Sequence, residues 1–291
     1  MQPIIDLSLS SPWFFYSMVG IVSLMIGSFL NVVIHRLPIM MERAWKQEYQ
    51  GYFHPDDKPE VFERYNLVKP DSTCPKCGHK IRFWENIPLI SYAILGGRCA
   101  GCKTSISIRY PLVELLTAVL SVWIAMHFGP GKAALAGVVL TWLLVAMTFI
   151  DLDKMLLPDQ LTLPALWFGL LLSLDHVFVS PQDAILGAAF GYLILWSIYW
   201  LFKLLTGKEG MGYGDFKLLA ALGAFTGWQG LLIIVLLSSF VGAIFGVVIM
   251  IKQRQGKNLA IPYGPYLAIA GWIALLYQQE IKTAYFNWVF S

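Results

Sequence analysis

The sequence predicts an all-α polytopic membrane protein: about eight transmembrane helices, with a small water-soluble domain inserted after the first. Three observations predict it. Of 291 residues, 57% are hydrophobic and only 13% charged, with a mean hydropathy of +0.62, which is more apolar surface than one soluble core can hide. Apolar runs near 12–34, 112–128, 133–150, 160–174, 184–206, 215–228, 230–251 and 262–279 approach the ~20 residues that cross a bilayer. Charge, proline and all four cysteines gather in the segment 36–110. The chain therefore divides into a first span (1–35), an inserted domain (36–110) and a helical bundle (111–291).

Taken in order, the first span follows a short start with no basic n-region and no small-residue cleavage site, so it is expected to be retained and not removed as a signal peptide. It carries Ser28, Asn31 and His35 on one helical face, near Gly20 and Gly27. Such a stripe serves either hydrogen bonds between helices or the lining of a cytoplasm-facing site. Residues 39–70 carry no motif with an assignable role. In the second span Glu114 is placed either to pair with Arg109 or to face a site. Small-residue pairs at Gly187/Gly191 and Gly242/Gly246 are expected helix-packing faces. Span 215–228 is short, and a seven-span arrangement in which it is re-entrant is the alternative.

Lysine and arginine set the orientation. Twelve of the 21 basic residues fall in 35–110, and Lys154, Lys203, Lys208, Lys217, Lys252, Arg254 and Lys257 lie in or beside loops on the same side. Lys132 and Lys282 alone are left for the other. By the positive-inside rule the inserted domain is cytoplasmic and both termini lie outside. The net charge of +3 reflects this topology. No basic stripe with interleaved aromatics suggests nucleic acid, and no G-x-G-x-x-G or Walker A sequence suggests a dinucleotide or ATP.

Cys74, Cys77, Cys99 and Cys102 form C-x2-C-x21-C-x2-C, close to the spacing of a tetrahedral four-thiolate zinc site. Gly78, Gly96, Gly97 and Gly101 supply permissive backbone for knuckle turns. In a reducing cytoplasm these thiols are not expected to be disulfides; thiol redox chemistry is the other reading. A closed shell of four thiolates leaves no open position, so the metal would be structural, making the insert zinc-ribbon-like. His79 is expected to be a surface residue.

Two carboxylates stand where loops meet apolar helices, Asp151 and Asp215, 64 positions apart. An ionised side chain at bilayer depth costs about 2.5–3.5 kcal/mol on insertion scales, so such a pair calls for a use. Asp153 would point about 200° away from Asp151, and Asp159, after Pro158, is written as a helix N-cap. Asp215 closes Gly212-Tyr213-Gly214-Asp215, where the glycines let an extended backbone approach; capping the following helix is its alternative role. The 14 residues from Asp215 to Trp228 span about 21 Å of helix against ~30 Å of hydrocarbon, so the carboxylate loops are expected to dip into a wet cavity. Two close carboxyls share one proton, which suits acid–base hydrolysis of a peptide bond. A proton- or cation-coupled transporter with a zinc-ribbon regulatory domain is the rival reading. Neither carboxylate sits mid-span, and paired broken helices are missing.

These residues resemble the type IV prepilin leader peptidase/N-methyltransferases, intramembrane aspartyl proteases of the GxGD kind. The likeness runs through Gly27-Ser-Phe-Leu-Asn31 to Pro38, both cysteine pairs, Glu85-Asn86-Ile87-Pro88, Arg109-Tyr-Pro-Leu-Val-Glu114, Asp151-Leu-Asp153, Leu157-Pro158-Asp159 and Gly212-Tyr-Gly214-Asp215-Phe-Lys217. The resemblance implies a catalytic pair at Asp151 and Asp215. It further implies leader cleavage after a glycine in prepilins and pseudopilins, at the cytoplasmic face of a bacterial inner membrane, among membrane lipid. N-methylation of the new terminus with S-adenosylmethionine follows. By the same resemblance the methyl-donor site should involve the inserted domain, around Glu85, Asn86, Gly96 and Gly97.

Overall fold

The computed structural model describes residues 11–54, 64–253 and 261–290; Lys58, Arg254 and Lys257 of the orientation argument lie outside them. The chain folds as two compact units, residues 1–130 and 131–291.

In the first unit, α1 (Pro12–Phe53) begins with a proline at its start and runs 42 residues, about 63 Å, past the end of the expected span and through Pro38. Its apolar first half meets α3 (Arg109–Phe128). The two run antiparallel. A methyl on Gly20 would stand 3.3 Å from Val122, one on Gly27 2.8 Å from the Glu114 Cα, and Asn31 donates to the Tyr110 carbonyl at 3.1 Å. The small residues thus bring two backbones together, and Asn31 spends its amide on the neighbouring helix. Beyond the Asn31–Tyr110 end of that interface Arg36 is buried and donates to the carbonyls of Asn66 and Pro70, at 3.1 and 2.7 Å, which ties the segment before the first cysteine to α1.

Among the described residues between α1 and α3 there is no long element, only a 3-10 turn (Phe83–Asn86) and α2 (Ile90–Ile94). Two similar knuckles replace a core. Cys74 pairs its amide with the His79 carbonyl beside the bridge Thr73–Lys80, and Cys99 pairs with Thr104 beside the bridge Arg98–Ser105. Left-handed backbone follows the second cysteine of each, at Gly78 (φ 69°) and Lys103 (φ 58°). Gly96 and Gly97 are also left-handed, whereas Gly101 is not and lies against the His79 side chain instead.

The second unit is a bundle of α4 (Lys132–Lys154), α5 (Asp159–Leu174), α6 (Pro181–Thr206), α7 (Tyr213–Thr226), α8 (Trp228–Gln253) and α9 (Gly264–Phe290). Its centre is α7, whose residues from Leu218 to Thr226 are buried on every face against α5, α6, α8 and α9. Glycine makes that possible. A methyl on Gly187 would overlap the backbone of Gly223, and one on Gly191 would stand 2.7 Å from the Leu219 carbonyl, so the Gly187/Gly191 face packs backbone to backbone. Aromatic rings of Phe168 and Phe178 close around Phe225, and Tyr192 and Tyr199 around Phe216.

All eight expected spans fall on helices. Among the described residues five meet both the length and apolarity needed to cross a membrane: α1, α3, α4, α6 and Trp228–Val248 of α8. Of the others, α5 and α7 have 16 and 14 residues, and α9 has 27 with a more polar end.

Candidate functional site

Asp151 lies in the last turn of α4 and Asp215 in the first turn of α7, and both are buried, at 5% and 7% exposure. Their helix ends converge on one residue. The chain closes the gap with Leu157, at the end of the Met155–Pro158 connection: a methyl on Gly214 would stand 2.6 Å from its Cβ, and one on Gly264 would stand 3.1 Å from its Cδ1. The close approach expected at Gly214 is therefore made by the chain's own Leu157. That connection can leave α4 so sharply because Met155 adopts a left-handed conformation, φ 50°, and donates its amide to the Asp151 carbonyl.

One backbone amide holds each carboxylate. Gly212 donates to Asp215 Oδ2 at 3.3 Å, so Asp215 is the third residue of its helix, reaching back to the capping position that Gly212 occupies. The Gly264 amide donates to Asp151 Oδ2 at 2.9 Å from the start of α9. Sequence reasoning missed Gly264. The signal was present in Pro262-Tyr263-Gly264-Pro265, where a glycine between two prolines marks a tight turn at a helix start. Asp153 is exposed on the opposite side of α4 from Asp151, as expected. Asp159 is the first residue of α5 behind a capping Pro158, and its carboxylate takes the Lys217 ammonium at 2.7 Å instead of serving as the cap.

In the first unit the four sulfurs of Cys74, Cys77, Cys99 and Cys102 lie within 4.8 Å of one another. The amides of Cys77 and Lys76 hold the Cys74 thiol below its ordinary range, and the Thr104 hydroxyl and amide bring Cys102 down to about 6. Although the His79 amide acts in the other direction, the neighbouring sulfurs, led by Cys102, push Cys77 up to about 11; the four sulfurs stand close enough together to hold a metal ion. His79 is tethered, not loose: its Nε2 meets Glu85 Oε2 at 3.1 Å. Glu85 also accepts the Arg82 amide at 3.0 Å, and that amide, with His79 second, holds its carboxyl below the usual range. Asn86 ends the same 3-10 turn. Gly96 and Gly97 turn the chain after α2, where a methyl on Gly97 would stand 2.9 Å from the Tyr92 ring. Glu114, buried, accepts the Leu89 amide at 2.9 Å and bonds Ser28.

Residues 21–128 match the bacterial peptidase A24 N-terminal domain, and residues 138–247, which contain both aspartates, match the type IV leader peptidase family. A protein of Aeromonas salmonicida called a prepilin leader peptidase/N-methyltransferase is 61% identical over 99% of both chains. The chain belongs to the type IV leader peptidase family. Other members bear the same name: one from Pseudomonas aeruginosa is 55% identical over 98% of each chain, and one from Neisseria gonorrhoeae 46% over 97%. No solved structure matches this leader peptidase family member.

Proposed function

We propose that this chain processes type IV prepilins and pseudopilins in two steps, removing the leader by peptide hydrolysis after a glycine and then methylating the new N-terminal amine. The observation that carries the first step is the buried pair Asp151 and Asp215, each held by a glycine amide. Two such carboxyls share one proton. The ionised member takes a proton from water as it attacks the scissile carbonyl. The protonated member donates to the developing oxyanion, and the leaving amine departs protonated. A pilin's apolar helix would lie in the bilayer with its basic leader in the cytoplasm of a bacterial inner membrane, level with the pair. Membrane lipid is the shared solvent of enzyme and substrate.

The methyl donor that fits the second step is S-adenosylmethionine, which would supply a sulfonium methyl to the unprotonated amine and leave as S-adenosylhomocysteine, the methylated ammonium then giving its proton to solvent. With an α-amino pKa of about 7.7–8.0, that deprotonation is modest work near neutral pH. Glu85, Asn86, Gly96 and Gly97 are the residues proposed for the donor site; the left-handed turn supports this at Gly96, which is exposed with nothing within 4 Å of where a side chain would stand, whereas Gly97 is covered by the Tyr92 ring.

Zinc is the metal proposed for the four cysteines. Tetrahedral zinc with ~2.3 Å bonds needs sulfurs about 3.8 Å apart, and the Cys74–Cys102 and Cys77–Cys99 separations are 3.8 and 3.9 Å. Its part is to hold two knuckles together in a segment with little core of its own.

Intact mass of a purified prepilin, read before and after adding S-adenosylmethionine, tests the whole scheme. Leader loss should precede a single-methyl increment. Asp151→Asn or Asp215→Asn should each abolish leader loss while the protein still inserts, and substantial cleavage by either sinks the assignment. Nothing among the relatives supports the transporter alternative; those quoted are named for peptidase and methyltransferase.

A further inference from the structure

The segment that delivers the Gly264 amide to Asp151 is mounted on a stripe of small residues along α8. Gly246 faces Ile261, with a methyl there 3.4 Å from Ile261 Cδ1, and Gly242 faces Tyr266 at 3.3 Å from its ring. Tyr266 in turn stacks on Phe245 at 5.8 Å. One turn earlier on the stripe, Ser238 and Ser239 meet the Tyr263 hydroxyl at 2.8 and 3.3 Å. Gly264 is the next residue, and its amide is fixed on Asp151 Oδ2 at 2.9 Å. The face written as Gly242-x-x-x-Gly246 thus does more than admit a neighbouring helix. It seats the strap that orients a carboxylate.

The geometry points to Tyr263 as a positioning residue for peptide hydrolysis: its hydroxyl, anchored on Ser238 and Ser239, ties the start of α9 to α8 and so fixes where the Gly264 amide, and with it the Asp151 carboxylate, stands. This rests on the reading of Asp151 as one of the hydrolytic pair. The physical reason is leverage. The 263–264 peptide is oriented by α9 itself, since the Tyr263 carbonyl accepts the Tyr266 and Leu267 amides at 3.1 and 3.2 Å, and the two hydroxyl contacts hold that helix start one residue from the Gly264 amide, whereas Ile261 and Tyr266 bind by shape alone. Directional hydrogen bonds fix a position along which apolar contacts can slide.

Tyr263→Phe keeps the ring and removes the hydroxyl. In purified protein cleaving a prepilin, kcat should fall by about ten- to a hundredfold, as misplacement of a reacting group by a fraction of an ångström costs, with KM changed by less than about twofold. Ser238→Ala combined with Ser239→Ala should reproduce the loss, and adding Tyr263→Phe to that pair should cost little more, because all three break one link. Ser238→Thr, which keeps a hydroxyl, should retain most of the wild-type rate. Rates are taken per folded molecule, so a contact that serves stability alone would lower the unfolding temperature and leave kcat unchanged. Unchanged kcat in Tyr263→Phe, a change confined to KM, or fully additive losses would each overturn the role. Should Tyr263→Phe fail to fold, the serine pair decides by the same criteria. Asp151→Asn is run alongside: if it cleaves, the carboxylate reading fails, and if it is inert while Tyr263→Phe cleaves normally, only the positioning role fails.

Discussion

Replacing Gly264 by alanine puts a single methyl group directly against a carboxylate of the candidate site. Its Cβ would stand 2.6 Å from Asp151 Oδ2 and 3.2 Å from Asp151 Cγ, with Leu157 Cδ1 at 3.1 Å behind. An ordinary contact between carbon and oxygen needs about 0.8 Å more than the first of these, and Leu157 blocks one direction of retreat. The carboxylate must then move, yet its hydrogen bond comes from the amide of the same residue, at 2.9 Å, so the contact cannot be relieved without stretching the bond. Gly264 is not among the left-handed glycines, so alanine suffers no conformational penalty there and the cost is steric. A displacement approaching 1 Å at a reacting group costs on the order of a hundredfold, or about 2.7 kcal/mol in the barrier. Initial rates of leader removal from a prepilin in detergent, read by mass, should show kcat down by that order with a smaller change in KM. Gly246→Ala, whose methyl would meet Ile261 at an ordinary 3.4 Å, is the matched control and should cleave nearly as wild type. A Gly264→Ala enzyme retaining more than about a third of the wild-type rate would refute the claim that the Asp151 position matters at this scale.

Asp151→Asn and Asp215→Asn should each remove cleavage with the fold intact, since an amide cannot share the proton, while Asp153→Asn, exposed, should keep measurable activity in the same mass assay. About one zinc per chain should copurify under non-chelating conditions and be lost in Cys74→Ser or Cys99→Ser, by metal analysis; zinc-free wild type would contradict the four-thiolate site. Gly97→Ala should depress methylation more than Gly96→Ala, with cleavage largely kept in both. Each forces a side chain into left-handed backbone at about 1–2 kcal/mol, but only at Gly97 does the methyl also meet a ring, that of Tyr92 at 2.9 Å. Equal loss of cleavage and methylation would argue for a single shared site.

Much of this was legible in the sequence, and the reasons divide by the range of the interaction. Helix placement follows from apolar runs, which are local, and each expected span fell on a helix. The cysteine spacing announced two knuckles, because a thiolate cluster constrains only the few residues around each pair. The cost of a carboxylate at depth singled out Asp151 and Asp215, and the structure buries both, one in the last turn of α4 and one in the first turn of α7. What could not be read were partners brought from far along the chain. The Gly264 amide is 113 positions from Asp151, and the Lys217 ammonium 58 from Asp159. No periodicity encodes such distances. Gly101 shows a subtler limit. Glycine suggested left-handed backbone there, but the second knuckle turns at Lys103, and Gly101 is small to clear His79.

The structure gives the capping position to Gly212 and not to Asp215, which reaches back to it from the third residue of α7. The amides at a helix start have no partner within the helix, so an acceptor from the chain itself is favourable there. The Asp215 carboxylate supplies it to Gly212, over 3.3 Å, a distance at the weak end for a charge-assisted bond. A looser tether holds the side chain at the head of α7 without consuming its capacity to accept or share a proton. Asp151 has no such local need, since it ends its helix and does not begin one; its amide comes from α9, at the shorter 2.9 Å. One carboxylate is thus positioned by the helix it starts and the other by a segment mounted on α8. The pair can meet only if α7 is buried deeply enough to bring its own first turn beside the last turn of α4, which is what the glycine contacts of Gly187 and Gly191 along α7 allow.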